Sequence, residues 1–83
     1  MKTKFINQNV TVTSVRFTSQ FEQIPRRIEF GGRSYNFVDE GIRLSIKSGQ
    51  RMTRLFDLSD GTQQFRLKRE QDERNWQLVS ISH

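Results

Sequence analysis

An all-β fold is what this sequence predicts, and three observations carry the prediction. Alanine is absent from the 83 residues, whereas Val, Ile and Thr together number 17 and Phe adds seven, a balance that favours pleated sheet over helix. Apolar and polar residues alternate at period two through most of the chain. Turn dipeptides, Gly31-Gly32 and Asp60-Gly61 foremost, divide these alternating runs at short intervals. With 33% hydrophobic and 28% charged side chains, the chain has material for one core, so residues 1–83 are read as a single domain.

The first run spans residues 10–17. Val10 and Val12 hold one parity and Val15 and Phe17 the other, which predicts a bent strand with a bulge near Thr13 and Ser14. Between residues 18 and 27, Ser19 with Glu22 three residues later predicts a capped helical turn that Pro25 stops. Ile28 and Phe30, the Gly31-Gly32 turn, then Tyr35 and Phe37 make a hairpin. Ile42, Leu44 and Ile46 alternate with Arg43, Ser45 and Lys47, and a Ser48-Gly49-Gln50 turn follows. Met52, Phe56 and Leu58 continue, with Arg54 interrupting their face and Leu55 on the other, so some irregularity is expected there. After Asp60-Gly61 come Phe65 and Leu67, an exposed loop over residues 70–75, and a last strand with Trp76, Leu78, Val79 and Ile81, again with a phase change.

Six strands joined by short turns predict an antiparallel meander that hides its edges by closing into a small barrel. An SH3-like barrel fits better than an OB-like one, because no helix is readable between the middle strands. The expected inward set is Val12, Val15, Phe17, Ile28, Phe30, Tyr35, Phe37, Ile42, Leu44, Ile46, Phe56, Leu58, Phe65, Leu67, Trp76 and Leu78. Trp76 is read as core because it is in phase with Leu78, and the Tyr35 ring is placed beside Phe37 with its hydroxyl near solvent.

Enzymatic chemistry finds little footing. There is no Cys, and the single His is terminal, where fraying would spoil a general base. Asp39-Glu40 and Asp72-Glu73 sit in polar turns, and neighbours on extended chain point apart. Asp57, Ser59 and Asp60-Gly61 fail the spacing of a calcium loop, and the glycines belong to no nucleotide-cradling pattern. No catalytic residue, metal or cofactor is therefore expected. No run approaches the length of a bilayer span and the first residues lack a secretory apolar stretch, so a cytoplasmic protein is expected.

Charge is the unusual property: 14 Lys and Arg against 9 Asp and Glu give a net charge of +5, and most of the cations are arginine, whose planar fork suits phosphate and carboxylate. Strand parity places Arg43 and Lys47 outward on one strand and Arg66 and Lys68 outward on another, with Arg27 and Arg51 flanking. As one stripe they would bind nucleic acid through its phosphate backbone, which makes the domain a non-catalytic accessory module. The alternative is a protein-interaction module or weak homodimer using a strand edge or the Leu55 region, together with the off-phase Val79 and Ile81, its arginines receiving an acidic protein.

Gly32-Arg33 with Tyr35, the Asp60-Gly61 turn followed by Phe65-Arg66-Leu67, and the closing Trp76 and Leu78 resemble short bacterial β-domains of unknown biochemical role. The resemblance covers residues 25 to 81. It implies a compact β-domain, of a kind suspected of accompanying nucleic-acid enzymes, and carries over no functional residue.

Overall fold

One long strand bends and organises everything else. The computed structural model describes residues 2–39, 41–71 and 73–83, and within them seven strands form: β1 (Thr3–Phe17), β2 (Gln23–Phe30), β3 (Arg33–Asn36), β4 (Ile42–Ser48), β5 (Arg51–Ser59), β6 (Gln64–Glu70) and β7 (Trp76–Ser82). They make a single antiparallel sheet in the order β3-β2-β1-β7-β6-β5-β4. The first half of β1 pairs with β7 and the second half with β2, so β1 belongs to two arms. There are seven strands where six were expected, and they match the apolar runs one for one when both strands of the Gly31-Gly32 hairpin are counted.

The expected bulge is present: the β1–β2 register shifts between Val12 and Ser14 and again between Ser14 and Val15. A second irregularity explains the phase change in β7. Arg66 pairs with Ser80 and Leu67 with Leu78, which leaves Val79 as the extra residue. Opposite it the β1 register shifts between Phe5 and Gln8, where Asn7 takes a φ of 53°, a left-handed conformation that Asn tolerates. At the chain ends the Lys2 and His83 amides each donate to the other residue's carbonyl, at 2.7 and 2.9 Å, so His83 is tied into the sheet and not frayed.

The two arms fold onto each other. Tyr35 on β3 and Phe65 on β6 have ring centroids 4.9 Å apart, although they lie four strand steps apart in the sheet. On a flat sheet that separation would be about 19 Å at the usual ~4.8 Å per strand. Phe37 meets the same Phe65 ring at 5.3 Å, and Trp76 meets Phe56 at 5.3 Å. The core between the arms is Ile24, Ile28, Phe37, Phe56, Leu58, Phe65, Leu67, Trp76 and Leu78. Trp76 is core as expected, and Tyr35 and Phe37 both pack on Phe65.

The sheet is not closed into a barrel. β3 and β4 remain its two edges, and the Val38 amide donating to the Ser59 carbonyl at 2.8 Å draws the segment after β3 toward β5 without pairing the edges. Several inward assignments also differ. Phe17, Ile42, Leu44 and Ile46 are exposed, Val12, Val15, Phe30 and Tyr35 are half-buried, and Ile24 and Pro25 are fully buried without having been read as core. The capped helical turn does not form. Residues 18–22 are instead a hairpin loop in which the Thr18 hydroxyl oxygen accepts the Gln20 and Glu22 amides at 3.2 and 3.1 Å. Pro25 stops no helix: it sits within β2, opposite Val15, on a stretch that β3 does not reach, where a missing N–H leaves no ladder bond unmade.

Asp60 organises the β5–β6 loop. Its Oδ1 accepts the Thr62 and Gln63 amides and the Thr62 hydroxyl at 2.8 to 3.0 Å. Burial pushes this carboxyl up, but the Gln63 and Thr62 donors together outweigh it and hold the group below its ordinary value. Glu40 and Asp72, members of the two carboxylate pairs noted in the sequence, lie outside the described residues. No helix among the described residues is long and apolar enough to cross a membrane.

Candidate functional site

The register of β4 decides where the cations go. Cross-strand partners share a face of the sheet, and Arg43 pairs with Phe56, which pairs with Leu67. Arg43, Ser45 and Lys47 therefore lie on the inner face, the one that carries the core. Ile42, Leu44 and Ile46 pair with Asp57, Leu55 and Thr53, which pair in turn with Arg66, Lys68 and Glu70, so these three aliphatics are on the outer face. The parity read from the sequence is thus inverted for β4. The cause is the turn: a three-residue Ser48-Gly49-Gln50 connection would set Ile42 opposite Phe56, whereas the observed two-residue Gly49-Gln50 loop closes on Ser48 and Arg51 and moves every partner by one. The irregularity expected in β5 is absent, because its registers with β4 and β6 run without a shift.

Consequently the six cations singled out as one stripe do not share a flank. Arg43 and Lys47 are on the inner face, Arg51, Arg66 and Lys68 on the outer face of the same arm, and Arg27 on β2 of the other arm, its Nη2 donating to Ser34 Oγ at 3.4 Å. Arg66 forks onto Asp57 with Nε to Oδ1 at 2.8 Å and Nη2 to Oδ2 at 2.9 Å. That hydrogen-bonded carboxylate raises the guanidinium above its ordinary value and neutralises its charge locally. Lys68 Nζ lies 3.9 Å from Glu70 Oε1.

Two arginines that the sequence reading left aside join Arg43 on the inner face. Glu22, presented by the β1–β2 loop, takes Arg43 Nη1 on Oε2 at 3.2 Å and Arg54 Nη1 on Oε1. Arg69 donates to Gln23 Oε1 at 3.0 Å and lies 5.2 Å above the Trp76 ring centroid. Phe21, Glu22, Gln23, Arg54, Arg69 and Trp76 line a cleft of about 330 Å³ there. The signal for Arg54 was in the sequence: a cation on core parity needs a partner, and Glu22 supplies it.

Beside that cleft, β4 forms an open edge. All seven of its residues are exposed, with Ile42 at 62%, Leu44 at 49% and Ile46 at 51% of full exposure on one face. Half-buried Leu55 on β5 extends this apolar strip inward. Val79 and Ile81 do not contribute to such a patch, the first being a bulge residue and the second packing against the core. Ser48 and Arg51 are the first and last residues of the tight turn and so a hydrogen-bonded pair. Bonds to β5 then recur at Ile46, Leu44 and Ile42, while the N–H and C=O groups of Arg43, Ser45 and Lys47 point away from the sheet. The edge thus offers a row of unpaired backbone groups, an aliphatic outer face and a cationic inner face.

No protein-family model, curated protein or solved structure matches the chain.

Proposed function

We propose that this domain is a non-catalytic protein-interaction module that extends its sheet by taking a strand from another chain along β4. The supporting observation is the edge itself. Soluble proteins blunt exposed edges by shortening, bulging, covering or charging them; β4 is seven residues long, regular and aliphatic on one face, and its charge is confined to Arg43 and Lys47 on the other. Such an edge is what strand addition uses: main-chain bonds supply affinity and alternate side chains supply selectivity. In this reading the curled meander is an SH3-like barrel left open beside β4. The test is selection from a random peptide library followed by Ser45→Pro, which deletes one outward N–H and spares the aliphatic face. Selected peptides should lose binding to the Pro variant while its fold, followed by far-UV circular dichroism, is retained. Peptides that bind both forms equally would remove the edge from consideration.

A second reading, contact with the phosphate backbone of nucleic acid, draws support from the net charge of +5 and from Arg43, Lys47, Arg54 and Arg69 sharing the inner face against Glu22. Here the faces separate the roles. Lys47→Glu, at an inner-face cation without an ion pair among the described residues, should weaken binding to duplex DNA or RNA, whereas Arg66→Glu, on the outer face where Arg66 is paired with Asp57, should change it little. With about three phosphates contacted, affinity should fall about fortyfold between 50 and 200 mM salt. Absence of retention at the lower salt rules this reading out.

A further inference from the structure

We infer that the strand β4 accepts is one in which acidic residues alternate with aliphatic ones, an inference that rests on the strand-addition reading above. Charge complementarity carries it. On the inner face of the edge stand Arg43 and Lys47, four residues apart with Ser45 between them, and on the outer face Ile42, Leu44 and Ile46. Residues opposite one another across a new ladder would share those faces. The matching strand therefore has three aliphatics on one side and two carboxylates, four residues apart, on the other.

The chain already shows that the inner side of this edge receives a carboxylate, because Glu22 reaches Arg43 from the β1–β2 loop. Glu22 is shared with Arg54, so one carboxylate serves two guanidinium groups, and Lys47 has no ion pair among the described residues. An incoming acidic strand would supply the missing negative charge and compete with Glu22 for Arg43. A second copy of this chain is the poorer occupant. Pairing β4 with itself about Ser45 sets Arg43 directly opposite the other copy's Lys47, and like charges facing each other across a ladder are destabilising.

The probe is the synthetic peptide Thr-Val-Glu-Val-Ser-Val-Glu-Val-Thr, which reads the same in both directions, so strand polarity need not be assumed. Its control carries Lys at both Glu positions. At low salt the acidic peptide should bind about tenfold more tightly, about threefold for each of two exposed ion pairs. Amide exchange should slow at Arg43, Ser45 and Lys47 on binding, with little change at Leu44 and Ile46, whose amides already face β5. The double variant Arg43→Glu, Lys47→Glu should reverse the preference, and Glu22→Gln should strengthen acidic-peptide binding about threefold by releasing Arg43.

Equal binding of both peptides with protection at those three amides would overturn the acidic preference and leave strand addition standing. If neither peptide slows them, both are overturned. Protection that rises with protein concentration alone would mean that a second copy fills the edge, and the acidic-strand proposal would be wrong.

Discussion

Gly41→Ala should cost about 3 kcal/mol of stability, and β4 should be the first element to detach. A Cβ at this position would stand 2.1 Å from the Asp57 carbonyl oxygen and 2.6 Å from Leu58 Cδ2. The first of these is backbone of a paired strand, its carbonyl directed at β4, and cannot move aside without disturbing the β4–β5 ladder. The residue also holds a φ of 64°, where an ordinary side chain costs roughly 1–2 kcal/mol. Overpacking adds roughly 1–3 kcal/mol more. Gly49 provides the comparison, since its φ is 62° but a Cβ there meets nothing within 4 Å. Gly49→Ala should therefore cost only the conformational part, about 1 kcal/mol. Urea unfolding of the two variants separates the contributions. Equal midpoints would mean that the chain relaxes around Gly41 and that the close approach does not hold β4 in place.

Gly49 also bears on how much of the fold was legible in the sequence. Alternation identified strands wherever one face is buried, and it located the bulge near Thr13 and Ser14 because a change of parity inside an apolar run has few other meanings. It misassigned β4 because alternation reports that the two faces differ and not which of them is inside. That choice is made by the neighbour. With Phe56 and Leu58 inward on β5, a two-residue Gly49-Gln50 loop compels Arg43 inward, while a three-residue loop would have compelled Ile42. One residue of turn length thus relocated three aliphatics and two cations, and the basic stripe with them. The open seam has the same origin: an edge whose inner side carries Arg43, Ser45 and Lys47 has no apolar surface to bury against the opposite arm. Glu22 escaped the reading for another reason, since its contacts with Arg43 and Arg54 lie 21 and 32 residues away along the chain. Ile24 and Pro25 escaped because a proline after a capping pattern reads as a helix stop, when here it lies in a strand paired with β1 on one side and not reached by β3 on the other.

Phe65→Ala should cost about 4 kcal/mol, within the roughly 3–5 kcal/mol typical of deleting a buried phenyl ring. For 83 residues, total stability on the order of 4–12 kcal/mol is usual, so the variant should lose about a third of its stability or more and unfold at a clearly lower urea concentration. The ring is fully buried and joins the arms, with Tyr35 at 4.9 Å and Phe37 at 5.3 Å on one side and the β6 ladder on the other. Phe21→Ala, at a ring 85% exposed, should change stability by no more than about 0.5 kcal/mol, so hydrophobicity lost from the chain is not itself the cause. The sharper measurement is a double-mutant cycle of Phe65→Leu with Tyr35→Leu. Four strand steps separate the two residues within the sheet, and on a flat sheet their effects would add. Because the curl brings the rings together, a coupling of about 0.5–1.5 kcal/mol is expected beyond the sum of the single changes. A coupling near zero would mean that the arms do not close over this ring pair. Phe65 would then be a local core residue of one arm, and the curvature that exposes β4 as a free edge would need another source.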